Sequence, residues 1–159
     1  MLLGNPNKFA FLIERISEWE SETWKNGIMF VIINGEIYPK NLRTTTFNSE
    51  IPGILAQNSA FINPVINEEL YEKSESEIIK YMSYEENENY YRFFIPFHEI
   101  NDSGYRIYII SSKISVKIIV CKLEIDNISP IDRTEIQLHE YESIKKKIID
   151  FFNTFNSFQ

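Results

Sequence analysis

Cysteine occurs once, at Cys121, in a chain of 159 residues. A single cysteine excludes an internal disulfide framework and any metal site built on several thiolates. Its scarcity fits a reducing compartment. Histidine is almost as rare: His98 and His139 are the only two, and neither stands at metal-ligand spacing from the other or from Cys121. The five glycines, Gly4, Gly27, Gly35, Gly53 and Gly104, are scattered singly, which leaves no glycine-rich phosphate loop and no Gly-x-Ser-x-Gly elbow. No Asp/Glu-x-Lys triplet occurs, which argues against metal-dependent nucleases of that pattern. Long hydrophobic runs are missing too: Ile28–Ile33 is far too short to span a bilayer. The start, MLLGNPNKFAFLIERISEW, has no basic region ahead of its apolar residues and no small-residue cleavage signal, so no secretory leader is expected. A cytoplasmic chain without cofactor or metal is the expectation.

Positive charge is also in short supply. Lys and Arg number 16 against 23 Asp and Glu, a net charge of −7. Phosphate binding needs a basic footprint, so nucleic acid is not an expected partner. Anionic membrane surfaces are excluded on the same ground. The natural complement is a basic protein. Hydrophobic residues make up 43% and aromatics 14%, enough to bury a core without staples in one domain spanning residues 1–159.

Local patterns divide the chain. Lys8–Ile16 reads as a strand, and Gly27–Ile33 as a central strand apolar on both faces. Asn34-Gly35 is a strong hairpin signal, with Glu36–Tyr38 returning until Pro39 stops it. Thr44–Phe61 carries capping residues, a proline suited to a first helical turn and an apolar face of Ile51, Ile54, Leu55 and Phe61. A helix is expected in the later part of Asn67–Glu88, then a loop at Glu85–Asn89. Tyr90–Phe97 reads as a strand ended or bulged at Pro96. Gly104–Glu124 reads as a hairpin turning near Ser111–Lys113, its second arm setting Val116, Ile118 and Val120 against Ser115 and Lys117. Thr134–Glu140 adds a further strand. A closing helix buries Tyr141, Ile144, Ile148, Phe152 and Phe155 and turns Lys145 and Lys146 outward. The fold class is α+β: an antiparallel sheet of about five to seven strands with inserted helices and a C-terminal amphipathic helix.

Catalytic readings are weak. His98 or His139 could act as a general base, but a partly exposed structural histidine is the simpler reading. Cys121 lies opposite Val116, Ile118 and Val120 in an apolar strand, which suits a buried structural thiol rather than a thiolate nucleophile. The carboxylate pairs Glu124/Asp126 and Asp132/Glu135 have nothing in the sequence to place them in a cleft. More informative are two acidic blocks. Glu18, Glu20 and Glu22 flank Trp19 and Trp24, which read as half-buried packing residues. The second block holds Glu68, Glu69, Glu72, Glu75, Glu77, Glu85, Glu86 and Glu88 against Lys73 and Lys80, with Tyr84 among them. Such a run is either a solvated face or a docking surface whose charge steers a basic partner and whose aromatics anchor it.

The stretch GNPNKFAFLIERISEW, followed by WKNGIMFVIINGEIYPK, resembles the start of the immunity protein 42 family. The matching positions include Gly4, Asn5, Pro6, Phe9, Glu14, Trp19, Gly27, Asn34, Gly35, Tyr38 and Pro39. Past this stretch the likeness is general, resting on the strands, the acidic middle and the terminal helix. The resemblance implies a protein without an active site that binds and blocks a cognate bacterial toxin. The candidate contact residues are a physical choice: Glu68, Glu69, Glu72, Glu75, Tyr84, Glu85, Glu86 and Glu88, with Glu18, Glu20 and Glu22. Two other readings stay open, an adaptor or scaffold pairing through an open sheet edge and a hydrolase using a carboxylate with His98 or His139.

Overall fold

The computed structural model describes residues 1–84 and 92–156, with side chains described as far as residue 154. Two sheets carry the strands among these residues. The first contains β1 (Leu2–Asn5), β2 (Phe9–Arg15), β3 (Asn26–Ile33) and β4 (Glu36–Tyr38) in that order, with β5 (Thr45–Thr46) also pairing β3. All of its pairings are antiparallel. α1 (Phe47–Ile54) leads to β6 (Val65–Ile66), then α2 (Glu68–Tyr71), α3 (Glu75–Met82) and α4 (His98–Asp102). The second sheet, ordered β6, β7 (Tyr105–Ser111), β8 (Ser115–Glu124) and β9 (Asn127–Gln137), is antiparallel apart from the parallel β6–β7 pair. α5 (Leu138–Asn156) closes the chain. The class is α+β, with the strands shared between two sheets.

Local chemistry accounts for the principal elements. Asn34 at φ 50° and Gly35 at φ 84° form the two-residue turn that pairs Ile33 with Glu36. Gly27 is needed for a different reason, because a Cβ there would stand 2.0 Å from the Glu14 carbonyl oxygen across the β2–β3 pair. On β8 the alternation feeds two cores. Val116, Ile118 and Val120 join Phe9, Phe11, Val31 and Ile33 of the first sheet and Tyr141, Ile144, Ile148 and Phe152 of α5. Ile119 and Cys121 face the other way, with Tyr108 and Ile110, under Leu70 and Tyr71 of α2 and Ile78, Ile79 and Met82 of α3. A capping box starts α3: the Glu77 backbone N–H donates to Ser74 Oγ while the Glu77 carboxylate accepts from the Ser74 backbone.

Several expectations need correction. Pro52 sits inside α1 rather than in its first turn, and the N-cap Thr46 donates its hydroxyl to Asn26 Oδ1 at 2.9 Å instead of capping. Phe61 lies beyond the helix, although its ring packs 5.5 Å from Phe11. Phe93–Phe97 is no strand; it touches β7 through a single bridge, Phe94 to Tyr108, and two flanking backbone bonds. Tyr90, Tyr91, the Glu85–Asn89 loop and the side chain of Phe155 lie outside the described residues. β9 begins earlier than Thr134 and slips register where Val120 pairs Asp132 but Cys121 pairs Pro130, leaving Ile131 as the extra residue. Lys145 does not turn fully outward: its ammonium reaches back to donate to the Ile62 carbonyl at 3.0 Å.

Two measurements check this packing. Gly27→Ala should destabilise by about 2 kcal/mol or more in urea unfolding, because the β2–β3 pair must separate to admit the methyl. Cys121 is fully buried and burial pushes its thiol up to about 12. The native protein should therefore leave Ellman's reagent nearly unreacted at pH 8, and the denatured chain should consume one equivalent.

Candidate functional site

The acidic middle is built on α2 and the start of α3, and much of its charge already has partners. Tyr71 and Lys117 hold α2 down: Lys117, only 7% exposed, donates to the Tyr71 carbonyl at 2.6 Å and lies 4.5 Å from the Tyr71 ring centre. The Tyr71 hydroxyl meets Ser115 Oγ at 2.7 Å. Glu68 accepts the Lys113 backbone N–H at 2.7 Å and so caps the β7–β8 turn. Glu75 pairs with Arg133 of β9, and Glu69 stands 3.9 Å from Lys73. Glu72, at the α2 C-cap, is exposed. Glu85, Glu86 and Glu88 lie outside the described residues.

Tyr84 is exposed and lines an open groove of about 960 Å³ between α3 and the β8–β9 hairpin. Lys80, Arg106, Glu124 and Asp126 also line it, so the Glu124/Asp126 pair does face a cavity. Arg106 stacks 4.5 Å from the Phe94 ring, and its buried Nε has no hydrogen-bond partner among the described residues. Asp132 and Glu135 are structural by comparison. Asp132 accepts from Asn34 Nδ2 at 2.9 Å and from the Tyr38 hydroxyl at 3.2 Å, tying the two sheets together. Glu135 accepts from Ser115 Oγ.

The N-terminal block occupies the β2–β3 connection. Glu20 is held by Arg15 and stands 3.7 Å from Lys25; the Arg15 hydrogen bond keeps its carboxyl below the usual range. Glu18 accepts from Ser17 Oγ, and both Glu18 and Glu22 are exposed. Trp19 and Trp24 are more open than packing residues, with 42% and 52% of their surface exposed. Trp24 is fixed by its backbone: its N–H donates to Ser21 Oγ and its carbonyl accepts from the Ser21 N–H, both at 3.0 Å.

Beside Trp24 lies a feature the residue patterns did not reveal. An open cleft of about 460 Å³ is lined by Trp24, Asn26, Thr46, Glu50, His98 and Glu99, among others. Glu50 is 3% exposed. Its Oε2 accepts the His98 backbone N–H at 2.9 Å, and its Oε1 lies 3.2 Å from His98 Nδ1. Burial raises the Glu50 carboxyl above its usual range, with Glu99 adding to the shift, while the contacts from His98 oppose it. The one available signal was periodicity: Phe47, Glu50, Ile51 and Ile54 fall on a single buried face of α1, so a glutamate sits in an apolar stripe. His98 is thus drawn to a carboxyl, whereas His139 is exposed at the first turn of α5. No group of three or more metal-ligating side chains forms among the described residues. Nor is any described helix long and apolar enough to cross a membrane.

Two sheets with buried faces thus carry a surface of partnered and open acids, cut by open clefts. The chain belongs to the immunity protein 42 family, whose model matches residues 1–151, well past the stretch that carried the first resemblance. The fold is shared with CdiI from Burkholderia dolosa AUO158, whose crystal structure aligns at a TM-score of 0.72 and 18% identity, covering 94% of this chain and 99% of that one. A search of curated proteins gives no match.

Glu50 offers a test of the cleft. Its folded-state carboxyl is raised, so between the ordinary value of 4.5 and the raised one the native chain holds more proton than the unfolded chain. Stability contributed by this group is therefore present below that window and is lost as pH rises through it. Glu50→Gln cannot ionise. Urea midpoints should show wild type losing stability relative to this variant between pH 4 and pH 8; parallel curves would remove the burial argument.

Proposed function

We propose that this protein is an immunity protein that binds a cognate bacterial toxin domain stoichiometrically and neutralises it, with no active site of its own. Membership of the immunity protein 42 family over residues 1–151 is the observation that carries this reading. The net charge of −7 supports a basic toxin as the partner, met in the cytoplasm by residues 1–159 acting as one domain. In this reading the contact surface draws on Glu68, Glu69, Glu72, Glu75, Glu85, Glu86 and Glu88 with Tyr84, and on Glu18, Glu20 and Glu22. Glu18, Glu22, Glu69 and Glu72 offer the most open charge of those described, since Glu20, Glu68 and Glu75 also serve internal partners. Long-range attraction of this kind acts mainly on the association rate and weakens with salt.

Growth decides the matter. Expressing the toxin domain encoded next to this chain should arrest cells, and co-expressing this chain should restore growth and yield a one-to-one complex on sedimentation. Raising the salt from about 0.05 to 0.5 M should slow association roughly tenfold or more with little change in dissociation. Equal killing with and without this chain would sink the proposal. The Glu50–His98 pair favours one other reading, a hydrolase with His98 as base. Activity on ester or phosphoester substrates that His98→Gln abolishes would support it.

A further inference from the structure

The cleft beside Trp24 has an unusual balance of groups. Two carboxyls, Glu50 and Glu99, stand in its wall, and among the described residues no lysine or arginine lines it. Its aromatic group is a tryptophan, which gives the strongest cation–π surface of any side chain. Arg43 already reaches one of these carboxyls: its Nε lies 2.9 Å from Glu99 Oε2 and an Nη donates to Ser103 Oγ at 3.0 Å. That pairing shows a guanidinium already meeting one of the cleft's carboxyls from outside the cleft.

The cleft is also formed in advance. Backbone bonds to Ser21 fix Trp24 on both sides, and the next residue donates its N–H to Asn48 Oδ1 at 2.7 Å. The Phe47 N–H returns a bond to the Lys25 carbonyl at 2.8 Å. The β2–β3 connection is thereby tied to α1, which carries Glu50, and Glu50 in turn holds the start of α4 through His98. Groups from β3, α1 and α4 are held in one arrangement before any partner arrives, which lowers the cost of binding. Burial disfavours charge on Glu50 more than the His98 contacts favour it, and an incoming cation would add to that compensation.

We propose that this cleft receives an arginine side chain of the protein partner, its guanidinium laid against the Trp24 ring and hydrogen-bonded to the carboxyls of Glu50 and Glu99. The planar fork of arginine suits both surfaces, stacking on the indole and donating to the carboxyls, which a lysine ammonium cannot do together. The role in binding rests on the immunity reading; the capacity for arginine does not. The exposed acids at Glu18 and Glu22 on the same connection add attraction for a basic surface around the inserted residue.

The chain has two tryptophans, so two indole N–H signals report the test in a proton–nitrogen correlation spectrum of the full-length protein. Trp19→Phe assigns them. Titration with N-acetylarginine amide should move the Trp24 signal saturably, with a dissociation constant on the order of 10 mM, and leave Trp19 in place. N-acetylnorvaline amide should move neither. Glu50→Gln should weaken the response several-fold, and Glu99→Gln gives the same readout should the buried substitution impair folding. No saturable shift, or equal shifts with norvaline amide, would overturn the proposal. A second arm uses the toxin domain encoded beside this chain: Trp24→Ala should weaken the complex roughly 30-fold, the size of a hot-spot loss. A full-strength complex with Trp24→Ala would overturn the cleft's role and leave the immunity reading standing. Failure of the wild-type protein to bind would overturn that reading, with the amide titration still deciding what the cleft accepts.

Discussion

Much of the molecule depends on one strand being dry on both faces. From Ser115 to Cys121 every residue of β8 is buried. Because side chains alternate, even-numbered positions from Val116 to Val120 enter the core shared with the first sheet and α5, and the odd ones enter the core under α2 and α3. A one-residue slip would exchange the two sets and drive Lys117 into the larger core. Lys117 is acceptable where it is because the Tyr71 carbonyl and ring receive its ammonium. The same contact fastens α2, so the helix carrying much of the acidic middle is anchored by a buried cation beneath it.

Elements whose pattern is local were legible in the sequence. β3 with its Asn34-Gly35 turn, the β7–β8 hairpin, the later helix of the acidic block and α5 each carry a period or a turn signal of their own. The four-residue β1, the two-residue β5 and β6 and the four-residue α2 do not, being too short for a period and defined by partners distant in the chain. Division into two sheets was equally hidden, because alternation fixes a face and not the sheet that covers it. Phe93–Phe97 shows the reverse error: a strand-like composition, used instead to fill both cores and start α4.

The candidate site was less legible. Counting charge located the acidic blocks, but counting cannot tell an open glutamate from one that caps a turn, as Glu68 does, or braces a strand, as Glu75 does. Trp24 was visible and its neighbours were not, since Glu50, His98 and Glu99 come from α1 and α4. Only the apolar stripe around Glu50 hinted that this carboxyl was set inward.

The rim of that cleft comes from separate elements, and the side chains that hold those elements to the core, such as Phe47, Ile54 and Ile100, point elsewhere. Asn26, Thr46 and Glu99 could therefore be exchanged singly with little disturbance to the cores. A fold still recognisable in CdiI at 18% identity has evidently tolerated replacement on that scale. Such construction leaves the rim of the cleft free to change one position at a time while the scaffold underneath stays the same.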